Sequence, residues 1–349
     1  MSRVQTIPVG PGEGDQRLDR WLKRMFPHVA QGRIEQICRK GELRIDGARA
    51  KASTRLEVGQ KVRIPPLPEP EPRKNEAKAA PRVSDQDAEM IRACVLYRDD
   101  HIIAINKPPG LATQGGSKQT RHVDGMAEAL KFDLSEKPRL VHRLDRDTSG
   151  ILLLARTRAA AQGLTAALRH KQTRKIYWAL VAGVPTPYLG EIRYGLVKAP
   201  GHGGRGEGEK MHCVHPNEVH GTQDAKRAHT LYATLYRVAS RASWVAMEPI
   251  TGRTHQLRAH MAEIGHPIIG DGKYGGSGQE NLGDGWGAQL GGDISRKLHL
   301  HARLMAFLHP VTGKPLTLTA PLPEHMAQTW ETLGWEESFA DEDPFESLR

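Results

Sequence analysis

The stretch LVHRLDRDTSGILLLA, Leu140 to Ala155, places an aspartate between two arginines directly before a run of aliphatic residues. The aliphatic run is long enough for a buried strand, and the polar residues before it predict a loop. In the segment that follows, Leu164, Ala167 and Leu168 recur at helical spacing, which predicts a helix. Short strand patterns on both sides of this unit indicate a mixed α/β arrangement from about residue 88 onward.

The aspartate of this stretch, Asp145, has Arg143 and Arg146 close by in sequence. Because neighbouring cations favour the charged form of a carboxyl group, we expect Asp145 to be ionised. An ionised carboxylate can act as a nucleophile, a base or a structural anion, but it is a poor proton donor. A structural salt bridge is the alternative. For Asp147 we predict that the side chain caps the turn closed by Gly150, since aspartate readily accepts hydrogen bonds from nearby backbone N–H groups.

The segment from Asp15 to Pro66 is strongly basic, with thirteen Lys and Arg residues against six Asp and Glu. QRLDRWLKRMF and QGRIEQICRKG both have helical apolar spacing, and Gly41 suits the left-handed position after a helix end. ELRIDGARAKASTRLEVGQKVRI alternates around an Asp46-Gly47 turn and predicts short strands. The side chains predicted to be buried on the two helices are Leu18, Trp21, Leu22, Met25, Phe26, Ile34, Ile37 and Cys38.

The opposite faces of the two predicted helices carry positive charge. The basic residues on these faces are Arg20, Lys23, Arg24, Arg33, Arg39 and Lys40. Neutralising RNA phosphates with such side chains releases counterions, so the pattern predicts RNA binding with a steep salt dependence. A merely solvated charged surface is the alternative reading.

The whole chain of 349 residues has a net charge of +10, which favours a polyanionic partner. We predict an N-terminal tail over residues 1–14, a basic domain over 15–66 and a linker rich in proline and charge over 67–87. A catalytic domain over 88–330 would follow, and the seven acids of residues 331–349 predict a solvated acidic tail. Three scattered cysteines and the lack of a long apolar stretch favour a cytoplasmic protein.

Several motifs carry a resemblance to known families. Residues 15–66 resemble an S4-type RNA-binding domain through RLDRWL, RKGELRIDG and LEVGQKVRI. HRLDRDTSGILLLA is similar to the signature of the RluA-type pseudouridine synthases, and RKIYWALV and PITGRTHQLRAHMAEIGHPIIGDGKYG agree in order. The resemblance implies an α+β protein: a small S4 domain of two helices and short strands, joined to a catalytic domain. The catalytic sheet would be long, bent, mixed and mostly antiparallel, flanked by helices and loops.

The resemblance also implies roles for individual residues. Asp145 would be the catalytic carboxylate, Tyr177 the tyrosine that packs on the uracil, and Arg258 the basic partner of the carboxylate. Arg143 would enter the space left by a uridine flipped out of its stack, which offsets part of the unstacking cost. Arg146 would contact phosphate or support the loop. The substrate would be 23S rRNA or an assembly intermediate of the large ribosomal subunit, handled by a monomer without cofactor or metal.

Other readings of the same residues stay open. A tRNA pseudouridine synthase of the same family, a non-catalytic ribosome-assembly protein and an RNA N-glycosidase would all use a basic surface. The N-glycosidase needs a second, protonated acid, and the surrounding arginines disfavour one. Histidines and a cysteine in the Gly-rich insertion fit no standard zinc pattern, so we expect no metal there. For the helix containing Arg258, Thr254 is the predicted N-cap and Leu257, Met261 and Ile264 the buried stripe, with a surface arginine as the alternative reading of Arg258.

Overall fold

The computed structural model divides into two compact units, residues 1–81 and 82–349. It describes residues 3–68, 83–115, 120–170, 172–199, 210–275, 290, 294–340 and 343–348. Most of the predicted linker therefore lies outside the described residues, as do His202 with the first part of the Gly/His-rich insertion (residues 201–221) and most of a second glycine-rich stretch (residues 275–297). None of the described helices has the length and hydropathy that a membrane span requires.

The first unit packs two helices against a four-stranded antiparallel sheet, in the order β1-β4-β2-β3. Its elements are β1 (Gln5–Pro8), α1 (Leu18–Met25), α2 (Gln31–Lys40), β2 (Arg44–Ile45), β3 (Ala48–Arg49) and β4 (Lys61–Ile64). Gly41 ends α2 in the left-handed conformation, as predicted, with φ of 71°. The turn at Asp46-Gly47 also has positive φ at both residues, which suits a tight hairpin.

Two predictions for this unit are wrong. Met25 is 41% exposed, because α1 ends there and the side chain lies beyond the edge of the core. Part of the stretch expected as an N-terminal tail forms β1, which pairs along β4 from Gln5 opposite Ile64 to Pro8 opposite Lys61. The other side chains predicted to be buried on the two helices are buried, except that Phe26 is only partly covered.

The second unit is built on one large mixed sheet. In the described residues its elements are α3 (Asp85–Ala93), β5 (Val95–Arg98), β6 (Ile102–Lys107), α4 (Val123–Met126), β7 (Arg139–Leu140), β8 (Ser149–Ala155), α5 (Arg158–Arg169), β9 (Arg174–Ala182), β10 (Leu189–Ile192), β11 (Gly195–Lys198), β12 (Met211–Val214), β13 (Lys226–Arg227), β14 (Thr230–Val238), β15 (Ala242–Pro249), α6 (Gln256–Glu263), β16 (Leu300–Leu308), β17 (Pro315–Thr319) and α7 (Glu324–Thr332).

The strand order of the large sheet is β10-β14-β15-β9-β16-β8-β6-β5, with β17 beside β16 and β7 beside β8. All pairs are antiparallel except β8 with β16. Register shifts in β14 and β16 are β-bulges, which bend a sheet. In a separate small sheet, β12-β11-β13, strand β12 of the Gly/His-rich insertion pairs with β11, which precedes the insertion, and β11 pairs with β13, which follows it. The α+β class and the bent, mostly antiparallel mixed sheet are confirmed.

Strand β9 lies in the middle of the sheet, and its side chains pack into a different layer on each face of the sheet. Ile176, Trp178 and Leu180 face a core that includes Trp244, Trp330, Trp335 and Phe345. Tyr177, Ala179 and Val181 face the other way, toward the layer that contains α6. Because side chains alternate along a strand, every second residue of β9 belongs to the same layer.

The C-terminal segment is not a solvated tail. Trp335 is 7% exposed and Phe345 is fully buried in the tryptophan-rich core. Asp343 bonds to Arg174 at 2.6 Å, and Glu337 pairs with Arg303 at 2.7 Å. The tail prediction rested on the acidic composition and took no account of Trp335 and Phe345. These two side chains make the described part of residues 331–349 a component of the second unit.

Candidate active site

Asp145 lies in the loop between β7 and β8 and faces a cavity of about 510 Å³. The loop is fixed on both sides of this residue. Thr113 Oγ1 donates to the carbonyl oxygen of Leu144 at 2.7 Å, and Lys107 Nζ donates to the carbonyl oxygen of Arg146 at 2.9 Å. The Asp145 side chain itself stays 21% exposed, so the carboxylate is both held in place and accessible.

Lys107 is fully buried and holds this loop against the segment Lys107–Leu111. Its ammonium donates three hydrogen bonds, to the carbonyl oxygens of Pro108, Leu111 and Arg146, at 2.8 to 2.9 Å. Burial lowers the pKa of Lys107 to about 7, while Asp147 and Asp145 oppose the shift. Sequence analysis missed this residue, which stands in the stretch INKPPG, Ile105 to Gly110.

Arg258 lies beside Asp145 but is bonded more tightly to Asp271. Its Nε and Nη2 atoms each donate to an Asp271 carboxylate oxygen at 2.7 Å, whereas Nη1 is 3.6 Å from Asp145 Oδ2. Burial alone would lower the pKa of Arg258, but the bonds to Asp271 outweigh it and raise the pKa. Arg258 is 6% exposed, so the alternative of a surface arginine is wrong.

His255 approaches the same carboxylate, with Nε2 at 3.7 Å from Asp145 Oδ2. Its Nδ1 is 3.0 Å from the hydroxyl of Tyr274, which accepts the backbone N–H of Met211 in β12. Burial lowers the pKa of His255, and Asp145 opposes that shift. His255, not Thr254, occupies the N-cap position of α6, with φ of 52°, a conformation that is uncommon outside glycine.

Tyr177 and Arg143 line the same cavity as Asp145 and Arg258. Burial, and secondarily the charge of Asp145, raises the pKa of the Tyr177 hydroxyl, which keeps it neutral. Arg143 is exposed at the cavity wall. Arg146 is not among the residues that line the cavity: its Nε is 3.0 Å from Asp147 Oδ1.

Two predictions for the loop are therefore wrong. Asp147 does not cap a turn. Its partly exposed carboxylate pairs with the guanidinium of the neighbouring Arg146. Gly150 is the second residue of β8, with φ of 107°, and a Cβ there would lie 2.3 Å from the carbonyl oxygen of Ala302 in β16. The glycine is thus required by close strand contact and not by a turn.

The six residues of the first unit that are predicted to contact RNA differ in whether their side chains already bond to other groups of the protein. Arg20, Arg39 and Lys40 are exposed. Lys23 donates to the carbonyl oxygens of Pro27 and Val29. Arg24 pairs with Glu13, and Arg33 bonds to Gln36 at 2.8 Å.

No three His, Cys, Asp or Glu side chains of the described residues converge in a way that could hold a metal ion. Among the histidines and the cysteine of the insertion, Cys213 is 3.6 Å from the carbonyl oxygen of Ala259. The carboxylate of Asp145, the neutral Tyr177 and the Arg258 held by Asp271 thus form a site in which a potential nucleophile lies beside an aromatic ring and a fixed cation.

Comparison with known proteins identifies the family of the chain. A family model described as RNA pseudouridylate synthase matches residues 101–263, and an S4 domain model matches residues 16–62. The chain is 36% identical to the ribosomal large subunit pseudouridine synthase C of Vibrio cholerae over 330 residues, 94% of this chain and 96% of that protein. It is 35% identical to the protein of the same name from Escherichia coli K12, covering 95% and 97%.

A solved structure of another pseudouridylate synthase domain has a similar fold. Human RNA pseudouridylate synthase domain containing 4 matches with a TM-score of 0.54 and 27% identity, covering 72% of this chain and 98% of that one.

Proposed function

Because this chain belongs to the RNA pseudouridylate synthase family, we propose that it isomerises uridines in the RNA of the large ribosomal subunit, with Asp145 as the catalytic carboxylate. The curated relatives named above bear the name of large-subunit enzymes and match nearly the whole chain. The observation that supports the residue assignment is Asp145 at 3.6 Å from Arg258, facing a cavity that Tyr177 also lines. The S4 domain, expected over residues 15–66, would hold the RNA through exposed cations such as Arg39 and Lys40.

The reaction balances without any co-reactant. The C1′–N1 bond of uridine breaks, a C1′–C5 bond forms, and the proton lost from C5 is matched by one gained at N1. Asp145 attacks the nucleoside, at the base or at the ribose, and the charge of Arg258 stabilises the carboxylate when it is released. Tyr177 packs on the uracil, and Arg143 fills the space that the flipped nucleotide leaves.

The cell compartment and the assembly state are part of the same proposal. The three cysteines are free thiols, which fits a reducing cytoplasm. We propose that a single copy acts on 23S rRNA or on a large-subunit assembly intermediate, since one chain carries both the cavity and the RNA-binding domain.

The test is to map pseudouridines in ribosomal RNA and tRNA from cells with and without the gene. We expect specific 23S sites to be lost, restored by the unaltered chain, and not restored by Asp145→Asn, which keeps the shape but removes the nucleophile. Loss in tRNA alone would transfer the activity to that substrate. Restoration by Asp145→Asn would contradict the catalytic assignment, and release of free uracil from treated RNA would indicate an N-glycosidase.

A further inference from the structure

Lys175 lines the cavity one pleat along β9 from Tyr177. Thr173, just before the strand, Lys175 and Tyr177 all border the cavity, as expected for residues two apart on an extended chain. Their alternating neighbours Ile176 and Trp178 pack into the core on the opposite side of the sheet. The lysine therefore lies about 7 Å along the chain from the proposed uracil platform.

No described residue gives Lys175 a hydrogen bond or an ion pair. The half-buried Lys175 differs in this from the two buried cations of the site, because Lys107 donates to three carbonyl oxygens and Arg258 donates to Asp271. Burial lowers the pKa of Lys175, and no carboxylate offsets the shift. The Oγ1 atom of Thr173 is also buried without a hydrogen-bond partner.

The cavity wall has a strong excess of positive charge. Among the described residues that line it, Asp145 is the only acidic one, and the Lys and Arg residues are Arg143, Arg169, Lys175, Arg253 and Arg258. An ammonium group that has lost part of its hydration and has no counterion is unfavourable until an anion arrives. RNA supplies such an anion at every nucleotide, and contacts to phosphate fix the register of a strand on a protein.

We propose that Lys175, together with the Thr173 hydroxyl, binds a backbone phosphate of the RNA next to the uridine held on Tyr177. This inference rests on the proposed function for the identity of the RNA. The contact positions the nucleotide: Lys175 neutralises one phosphate while Tyr177 takes the base, so the ribose between them is presented to Asp145.

A first experiment tests phosphate binding without any need for catalysis. Lysine side chains of the full-length protein are labelled with ¹³C, and the Lys175 resonance is assigned from its loss in Lys175→Arg. Its titration midpoint is then measured alone and with uridine, uridine 5′-monophosphate or uridine 3′-monophosphate. We expect one or both monophosphates to move the midpoint upward and uridine to leave it unchanged. A midpoint that no monophosphate moves, or that uridine moves equally, overturns the proposal, the latter pointing to a contact with the base.

A second experiment identifies the phosphate. RNA fragments around a mapped target uridine carry one uncharged methylphosphonate, placed at successive linkages. Lys175→Met should raise KM about 10- to 100-fold and weaken the salt dependence by the equivalent of one phosphate, while Lys175→Arg keeps most of both. At one linkage, the methylphosphonate should remove the difference between Lys175→Met and the unaltered chain.

The matched control is Lys314→Met, which removes the same charge from an exposed position in the same unit that does not line the cavity. It should leave KM and its dependence on the methylphosphonates unchanged. Equal effects of Lys175→Met and Lys314→Met, or additive effects of Lys175→Met at every linkage, would contradict the phosphate contact. An inactive unaltered chain would instead contradict the proposed function, and the titration would still decide the inference.

Discussion

At the scale of single residues, the Asp145 carboxylate has two basic side chains nearby but no close hydrogen bond to either of them. Arg258 and His255 lie at 3.6 and 3.7 Å from the same carboxylate oxygen, too far for close hydrogen bonds. The close bonds of Arg258 go to Asp271 instead. The guanidinium of Arg258 therefore lies beside Asp145 without a close hydrogen bond to it, and the lone pairs of the carboxylate remain available for attack.

Asp271→Asn tests how this arrangement is maintained. The substitution leaves the buried Arg258 without its bidentate anionic partner, and breaking a buried pair in this way costs about 3–5 kcal/mol. We expect a lower denaturant midpoint for the second unit and a lower kcat, since Arg258 is free to turn toward Asp145 and bind it tightly. Unfolding curves and single-turnover rates measure the two effects.

Glu136→Gln is the control for Asp271→Asn, because it breaks an exposed pair with Arg139 and should change stability by less than about 1 kcal/mol. If both variants had the same stability, Asp271 would not have the structural role assigned to it.

At the scale of secondary structure, the site is built where β8, β16 and β9 lie side by side. The β8–β16 pair is parallel in a sheet that is otherwise antiparallel, and it joins residues about 150 positions apart at His301 opposite Ser149. The pair brings the loop that carries Asp145 next to β9, the strand that carries Tyr177. Close contact at this point depends on Gly150, which leaves room for the backbone of Ala302.

Gly150→Ala should therefore destabilise the second unit strongly. The added Cβ meets backbone atoms at 2.3 to 2.8 Å, and the φ of 107° is unfavourable for alanine. Backbone strain of about 1–2 kcal/mol and overpacking of about 1–3 kcal/mol give an expected loss of about 2–5 kcal/mol. Chemical unfolding of the purified variant measures it. Gly221→Ala, where a Cβ meets nothing closer than 3.8 Å, should have little effect, and a Gly150→Ala variant as stable as that control would contradict the packing argument.

At the scale of the whole molecule, the basic segment gives the first unit a charged surface, whereas the acidic C-terminal segment packs into the second unit. Thirteen Lys and Arg residues between residues 15 and 66 leave a basic surface on the first unit. The acidic C-terminal residues instead bond to Arg174 and Arg303 of the second unit. The same segment closes the tryptophan-rich core with Trp335 and Phe345.

Deletion of residues 333–349 should expose this core. Loss of two buried aromatic side chains costs about 1.5–3 kcal/mol each, so the second unit should lose about 3–6 kcal/mol. Thermal unfolding and tryptophan fluorescence measure the change. Deletion of residues 348–349 alone leaves Phe345 in place and should preserve stability. A longer deletion with the same unfolding midpoint would show that the segment is dispensable for folding.

The stability of the second unit should also fall in mild acid. Burial lowers the pKa of His299 and His301 to about 3 and that of His260 to about 4, against 6.5 for an unperturbed histidine. The unfolded chain then binds more protons than the folded chain between these values. Stability is thus complete above about pH 6.5 and is lost as the pH falls toward 4.

Urea unfolding at a series of pH values between about 7.5 and 4.5 measures this dependence. His299→Gln should reduce the slope of stability against pH by one proton, whereas His212→Gln, at an exposed position, should leave it unchanged. An unfolding free energy that does not vary over this range would contradict the effect of the buried histidines.

The features that could be predicted from the sequence are those that depend on near neighbours in the chain. Helical spacing of apolar residues predicted α1, α2 and α5, the aliphatic run predicted β8, and Gly41 had the predicted left-handed conformation. The motifs around Asp145 led to the family and to four residues that line one cavity, Arg143, Asp145, Tyr177 and Arg258. These signals are local because backbone geometry repeats every two or every three to four residues.

Tertiary structure decided the partners of those residues. Arg258 is held by Asp271, His255 by Tyr274, and the loop of Asp145 by Lys107, while Lys175 has no described partner at all. The acidic segment packs into a core through Trp335 and Phe345 although its composition predicted a tail. Such contacts join residues on separate elements, and their energies depend on burial and distance, which composition and spacing along the chain do not contain.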